Sequence, residues 1–94
     1  MGWKIANWIC GGFRATRTDG EMVFVYRRLD WSPSGYMRSY SAYEFRWRGI
    51  SAARLASDGI WLRRARLLYA PDGQPVINDQ DLVEIAGLMA KALN

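Results

Sequence analysis

The hydrophobic pattern of this chain changes period along its length, and the changes outline its elements. From Tyr43 to Arg48 apolar and charged residues alternate without a break, sending Tyr43, Phe45 and Trp47 to one side and Glu44, Arg46 and Arg48 to the other. That is the signature of a half-buried strand. From Asp79 to Asn94 the period lengthens: Leu82, Ile85, Ala86, Met89 and Leu93 fall on one stripe, acids occupy the first turns and Lys91 the last. This spacing predicts a helix whose apolar stripe covers one sheet face. Asn78-Asp79-Gln80-Asp81 opens it and lacks the glycine and distal glutamate of a calcium loop. It is expected to cap the helix, because Asn or Asp there accepts the first, otherwise unpaired N–H groups.

Three Asp-Gly pairs, at Asp19-Gly20, Asp58-Gly59 and Asp72-Gly73, punctuate the rest. The first lies between Phe13–Thr18 and the β-rich run Met22-Val23-Phe24-Val25-Tyr26, which predicts a hairpin. A two-residue loop pairs Thr18 with Glu21, Thr16 with Val23 and Arg14 with Val25. It places Phe13, Ala15, Met22, Phe24 and Tyr26 on the core face, with Arg14, Thr16, Thr18, Val23, Val25 and Arg27 on the other. The Ala-rich stretch Ser51 to Ser57, capped by Ser51 and stopped at Asp58-Gly59, is expected as a short helix. Ile60 to Tyr69 fits a helix or a strand, and strand is preferred because Pro71-Asp72-Gly73 closes a hairpin with Gln74 to Ile77. Trp3 to Cys10 reads as a further strand, leading through a Gly11-Gly12 bulge into Phe13. The expected fold is α+β: a single domain, residues 1–94, with an antiparallel sheet, hairpins at the Asp-Gly turns and a C-terminal helix packed on one face.

Composition narrows the function. At 94 residues, 50% hydrophobic and 23% charged, the chain suffices for one globular core and is too short for two. No apolar run approaches the roughly 20 residues that span a bilayer, so a cytoplasmic protein with no membrane partner is expected. There is no histidine, which removes Ser-His-Asp and Cys-His catalysis and the commonest metal ligand. Cys10 is the only cysteine, so neither an intramolecular disulfide nor a thiolate zinc site can form within one chain. Between Ile9 and Gly11 it is expected as a small core residue. Gly11-Gly12 is followed by Phe13-Arg14, unlike any phosphate loop. The expectation is a non-enzymatic protein without metal or organic cofactor.

Charge is distributed unevenly. Through Arg66 there are 12 basic and 5 acidic residues, a net +7; from Leu67 onward Lys91 faces Asp72, Asp79, Asp81 and Glu84, a net −3. Eleven of the 13 cations are Arg, whose planar fork binds phosphate or carboxylate in two-point contacts and stacks on aromatic faces. Arg14, Arg27, Arg46, Arg48, Arg63, Arg64 and Arg66 are the candidates for a phosphate-backbone surface. A second feature is the stretch Leu29 to Tyr43, where Asp30-Trp31-Ser32-Pro33-Ser34-Gly35 breaks the strand. Trp31, Tyr36, Arg38 and Tyr40 there have the chemistry of a recognition loop, rigid amphipathic anchors beside adaptable polar groups. The preferred reading is a small protein-binding regulator or inhibitor, of the kind phages and mobile elements encode, acting on an acidic protein surface. The alternative is a nucleic-acid-binding module using a basic sheet face. A homodimer through an exposed strand edge or an apolar patch is compatible with either.

Overall fold

The computed structural model describes residues 2–31, 39–64, 67–69, 72–73 and 75–94, and the backbone alone for 29–31, 39–41, 67–69 and 75. The elements are β1 (Trp3–Asn7), β2 (Phe13–Arg17), β3 (Met22–Trp31), β4 (Ser39–Trp47), β5 (Ile50–Ala56), β6 (Trp61–Arg64), β7 (Leu67–Tyr69), β8 (Pro75–Asn78) and α1 (Asp79–Leu93). Strands β1 to β6 form one antiparallel meander in sequence order, and β7 pairs with β8 in a second, two-stranded sheet. The helix lies across one face of the six-stranded sheet, so the α+β arrangement follows as the alternation and the 3.6 period predict.

The β2–β3 register differs from the expected one by a single residue. The loop is three residues long, Thr18-Asp19-Gly20: the Arg17 N–H donates to the Glu21 carbonyl at 2.8 Å and the Gly20 N–H to the Arg17 carbonyl at 2.9 Å. Asp19 holds this form by accepting from the Glu21 N–H at 3.2 Å and from the Arg17 guanidinium at 2.9 and 2.7 Å. Phe13 therefore pairs with Val25, Arg14 with Phe24, Ala15 with Val23 and Thr16 with Met22. A one-residue slip turns a whole strand over. Val23 and Val25 are buried with Phe13 and Ala15, while Met22, Phe24 and Tyr26 share the opposite face with Arg14.

The expected Ser51–Ser57 helix is instead strand β5. Arg48-Gly49, both with positive φ (48° and 77°), make the two-residue hairpin turn that returns the chain alongside β4. At Phe45/Arg46 the register shifts: Ala53 pairs with Phe45 and Ser51 with Arg46, leaving Ala52 as the additional residue. The bulge buries Ala52 and Ala53 in succession, and that doubling is what imitates a helical period. Asp58-Gly59 repeats the first turn's geometry, with Ala56 N–H donating to the Ile60 carbonyl and Asp58 accepting from the Ile60 N–H. The region 60–69 holds two strands rather than one, β6 in the main sheet and β7 in the hairpin with β8.

Asn78 caps α1 as expected: its side chain accepts from the Asp81 N–H at 3.1 Å while the Asp81 carboxylate accepts from the Asn78 N–H at 3.0 Å. Leu82, Ile85 and Met89 are buried against Phe13, Val25, Phe45 and Trp47, whereas Leu93, placed by periodicity on the same stripe, is exposed. At the other end β1 stops at Asn7, and Ile9–Gly11 form a single 3-10 turn instead of strand and bulge. Cys10, expected in the core, is exposed there with φ +53°. Among the described residues no helix is long and apolar enough to cross a membrane.

Candidate functional site

The face of the sheet that α1 does not cover is built by alternation and register. Directly paired residues of antiparallel strands share a face, so Ala6, Arg14, Phe24, Arg46 and Ser51 form one row across five strands. Tyr26, Glu44, Arg54 and Arg63 form the next row, flanked by Arg28 on β3 and by Lys4, which pairs with Thr16. Each of the six strands thus sets one cation on this face: Lys4, Arg14, Arg28, Arg46, Arg54 and Arg63. At about 4.8 Å per strand the six span roughly 24 Å.

Aromatic rings sit inside this field. Trp8 packs on Phe24 with ring centroids 4.7 Å apart and on Tyr26 at 5.0 Å, tilted and edge-on respectively. All three remain half-buried rather than buried. The Arg28 guanidinium lies 5.5 Å from the Tyr26 ring centre. Glu44 is the one carboxylate on this face among the described side chains, and it is already engaged. It accepts from Arg28 Nε at 3.1 Å, from Arg46 Nη1 at 3.3 Å and from Ser51 Oγ at 3.4 Å. Arg46 also donates to the Gly49 carbonyl at 2.7 Å. Lys4, Arg14 and Arg63 are exposed and make no ion pair among the described residues.

The other arginines are used to assemble the fold. Arg17 bonds Asp19, donates to the Val76 carbonyl at 2.8 Å, lies 3.5 Å from Asp81 and covers the Trp3 ring at 5.4 Å. Its hydrogen bond to Asp19, with burial opposing and the nearby carboxylates assisting, raises its pKa further, and the same contact holds Asp19 at about 2. The Trp3 indole donates to Asp81 at 2.9 Å and its backbone N–H to Glu84 at 3.1 Å, which lowers the Glu84 pKa. The acidic start of α1 is thereby tied to β1 and β2. Arg64 reaches Asp79 at 3.2 Å over the Trp61 ring, and Arg48 reaches Glu21 at 2.7 Å over the Trp47 ring.

Of the sequence candidates, Arg14, Arg46 and Arg63 therefore come together on the open face, while Arg48 and Arg64 are ion-paired elsewhere. Arg27 pairs with Tyr43 and belongs to the helix-side face, not beside Arg14 as the two-residue loop implied. Arg66, Tyr36 and Arg38 lie outside the described residues. Trp31 and Tyr40, read as loop residues, are backbone-paired strand positions near the end of the β3–β4 hairpin, opposite Ser39 and Asp30. The sequence reading missed Lys4, Arg28 and Arg54, and took Phe24 and Tyr26 for core; a three-residue loop at Asp19-Gly20 would have turned both to this face.

On the helix side, a cleft of about 470 Å³ runs between α1 and the β5–β6 hairpin, lined by Tyr43, Leu55, Trp61, Val83 and Met89 among others, with no carboxylate or cation in its lining. Among the described residues no three of Cys, Asp and Glu converge as metal ligands. No protein-family model, curated protein or solved structure matches this chain.

Proposed function

We propose that this is a non-enzymatic binding protein whose open sheet face holds a nucleic-acid phosphate backbone. The observation that supports the reading is the set of cations that the six strands place on one face, where Glu44, bonded to Arg28 and Arg46, is the one carboxylate among the described side chains and Lys4, Arg14 and Arg63 make no ion pair among the described residues. A one-signed field of that kind attracts a polyanion and releases its counterions on binding. Arginine suits the role because its fork meets phosphate oxygens in pairs.

Titration of labelled oligonucleotides by fluorescence anisotropy, between about 50 and 200 mM salt, tests this. Affinity should fall steeply with salt, and Arg14→Ala or Arg63→Ala should each weaken binding to every sequence and reduce the salt slope by about 1. Affinity that ignores salt overturns the reading. The protein-binding regulator draws on the same cations for an acidic protein surface; one protein retained from lysate after nuclease treatment would put it in the first place. A cytoplasmic setting belongs to this proposal, as does a homodimer formed along the β1 edge of the sheet.

A further inference from the structure

We infer that the ligand of this face is single-stranded, with an unpaired base stacked on the Trp8–Phe24–Tyr26 cluster. The inference rests on the polyanion reading and adds the element that phosphate contacts do not explain. Half-buried rings lie within the field, between Arg14 on one side and Arg28 and Arg46 on the other, where a backbone held by those cations would carry its bases over them. A duplex presents base edges in its grooves and keeps base faces in its stack, so only an unpaired base can use an aromatic face.

The connection that carries Trp8 supports the assignment independently. Between β1 and β2 the chain makes a turn that buries none of its own residues: Ile9, Cys10 and Gly11 are all exposed, and Cys10 adopts the left-handed φ of +53° that a non-glycine residue rarely takes. The turn is nevertheless closed at both ends, by the Trp8 N–H donating to the Gly12 carbonyl and the Gly12 N–H to the Ile9 carbonyl, each at 3.0 Å. Gly12 is pressed so closely on β3 that a Cβ there would overlap the Val25 carbonyl oxygen. What this tight, strained and otherwise unburied loop does is hold the Trp8 ring over β3, against Phe24 and Tyr26. Stacking is tolerant of sequence because every base has a face, so the expected ligand is a single strand without strong sequence preference.

Three probes separate the elements: an oligodeoxythymidylate of about 15 nucleotides, an abasic deoxyribose-phosphate strand of equal length, and a duplex of that length. The oligodeoxythymidylate should bind at least roughly tenfold more tightly than the abasic strand, a difference of one stacked base. Trp8→Ala should abolish that difference while leaving affinity for the abasic strand unchanged, and Trp8→Phe should keep most of it. Tryptophan fluorescence should quench on binding in the wild type and lose that response in Trp8→Phe. Equal affinity for all three probes, or Trp8→Ala binding oligodeoxythymidylate as well as wild type, overturns the single-strand inference and leaves the polyanion reading standing. No binding to any of the three at low salt removes both.

Discussion

The two faces of the six-stranded sheet are made from the same materials, arginine and aromatic rings, and use them in opposite ways. On the helix side and at the adjoining turn, Arg17, Arg48 and Arg64 each meet a carboxylate and each lie over a tryptophan ring, Trp3, Trp47 and Trp61 in turn. Those sets close the fold, and the acids of α1 take part in them. On the open side Glu44 meets Arg28 and Arg46, Lys4, Arg14 and Arg63 make no ion pair among the described residues, and the rings stack on one another at the surface. An Arg–Trp neighbourhood is therefore not by itself a recognition signal. Where a carboxylate from another segment completes an Arg–Trp set, as at Arg48 and Arg64, the set belongs to the scaffold.

Truncating one phenylalanine on each side gives the largest separation. Phe45, fully buried beneath α1, should lose about 3–5 kcal/mol on change to Ala, whereas half-buried Phe24 on the open face should lose roughly 1 kcal/mol. Urea unfolding of the two variants measures this, and equal losses would erase the distinction between a covered and an open face. A smaller effect comes from the acidic seam. Asp81→Ala removes the capping box and the acceptor of the Trp3 indole, which should cost about 1–2 kcal/mol while leaving nucleic-acid affinity unchanged; a drop in affinity at full folding would mean that the seam serves binding.

The mildest effect is on pH dependence. Asp19 is held at about 2 by Arg17, and Glu84 is lowered by the Trp3 N–H, so in the acid range the unfolded chain binds more protons than the folded one. Stability is then complete above the ordinary carboxylate range near pH 4 and declines as pH falls toward about 2, where Asp19 itself protonates. Asp19→Asn and Glu84→Gln should each flatten that acid limb in thermal melts. An acid limb unchanged in both variants would show that these helix-side contacts do not discriminate the folded state.

Much of the fold was legible because several local signals agreed. Asn78 and Asp81 at capping spacing ahead of the Leu82–Ile85–Met89 stripe announced α1, and the unbroken alternation from Tyr43 to Trp47 announced β4. The Asp-Gly pairs marked the β2–β3 and β5–β6 turns, although the second was read as the end of a helix and not as the turn of a hairpin. Their length was less legible, since Asp-Gly suits two- and three-residue loops alike, and the Asp19–Arg17 contact that selects the longer one is formed only after folding. Both alternations in Met22-Val23-Phe24-Val25-Tyr26 are apolar, so nothing in the run itself chose the face. Ala52-Ala53-Arg54-Leu55-Ala56 has helix-forming composition, overridden by pairing with β4 and disguised by a bulge. The site was only partly legible: Arg14, Arg46 and Arg63 were named, but whether Arg48 or Arg64 finds a carboxylate depends on chain segments remote in sequence.

Arg14 and Arg27 differ in little except the face they occupy. Both are exposed, neither makes an ion pair among the described residues, and register puts them on opposite sides of the sheet. Arg14→Glu and Arg27→Glu change the net charge identically, so their affinities for one labelled single strand at one salt concentration isolate position from charge. The open-face account predicts a loss of roughly tenfold or more for Arg14→Glu and a change of less than about twofold for Arg27→Glu. Equal losses would mean that binding follows net charge alone, and a larger loss at Arg27 would move the interface to the helix side.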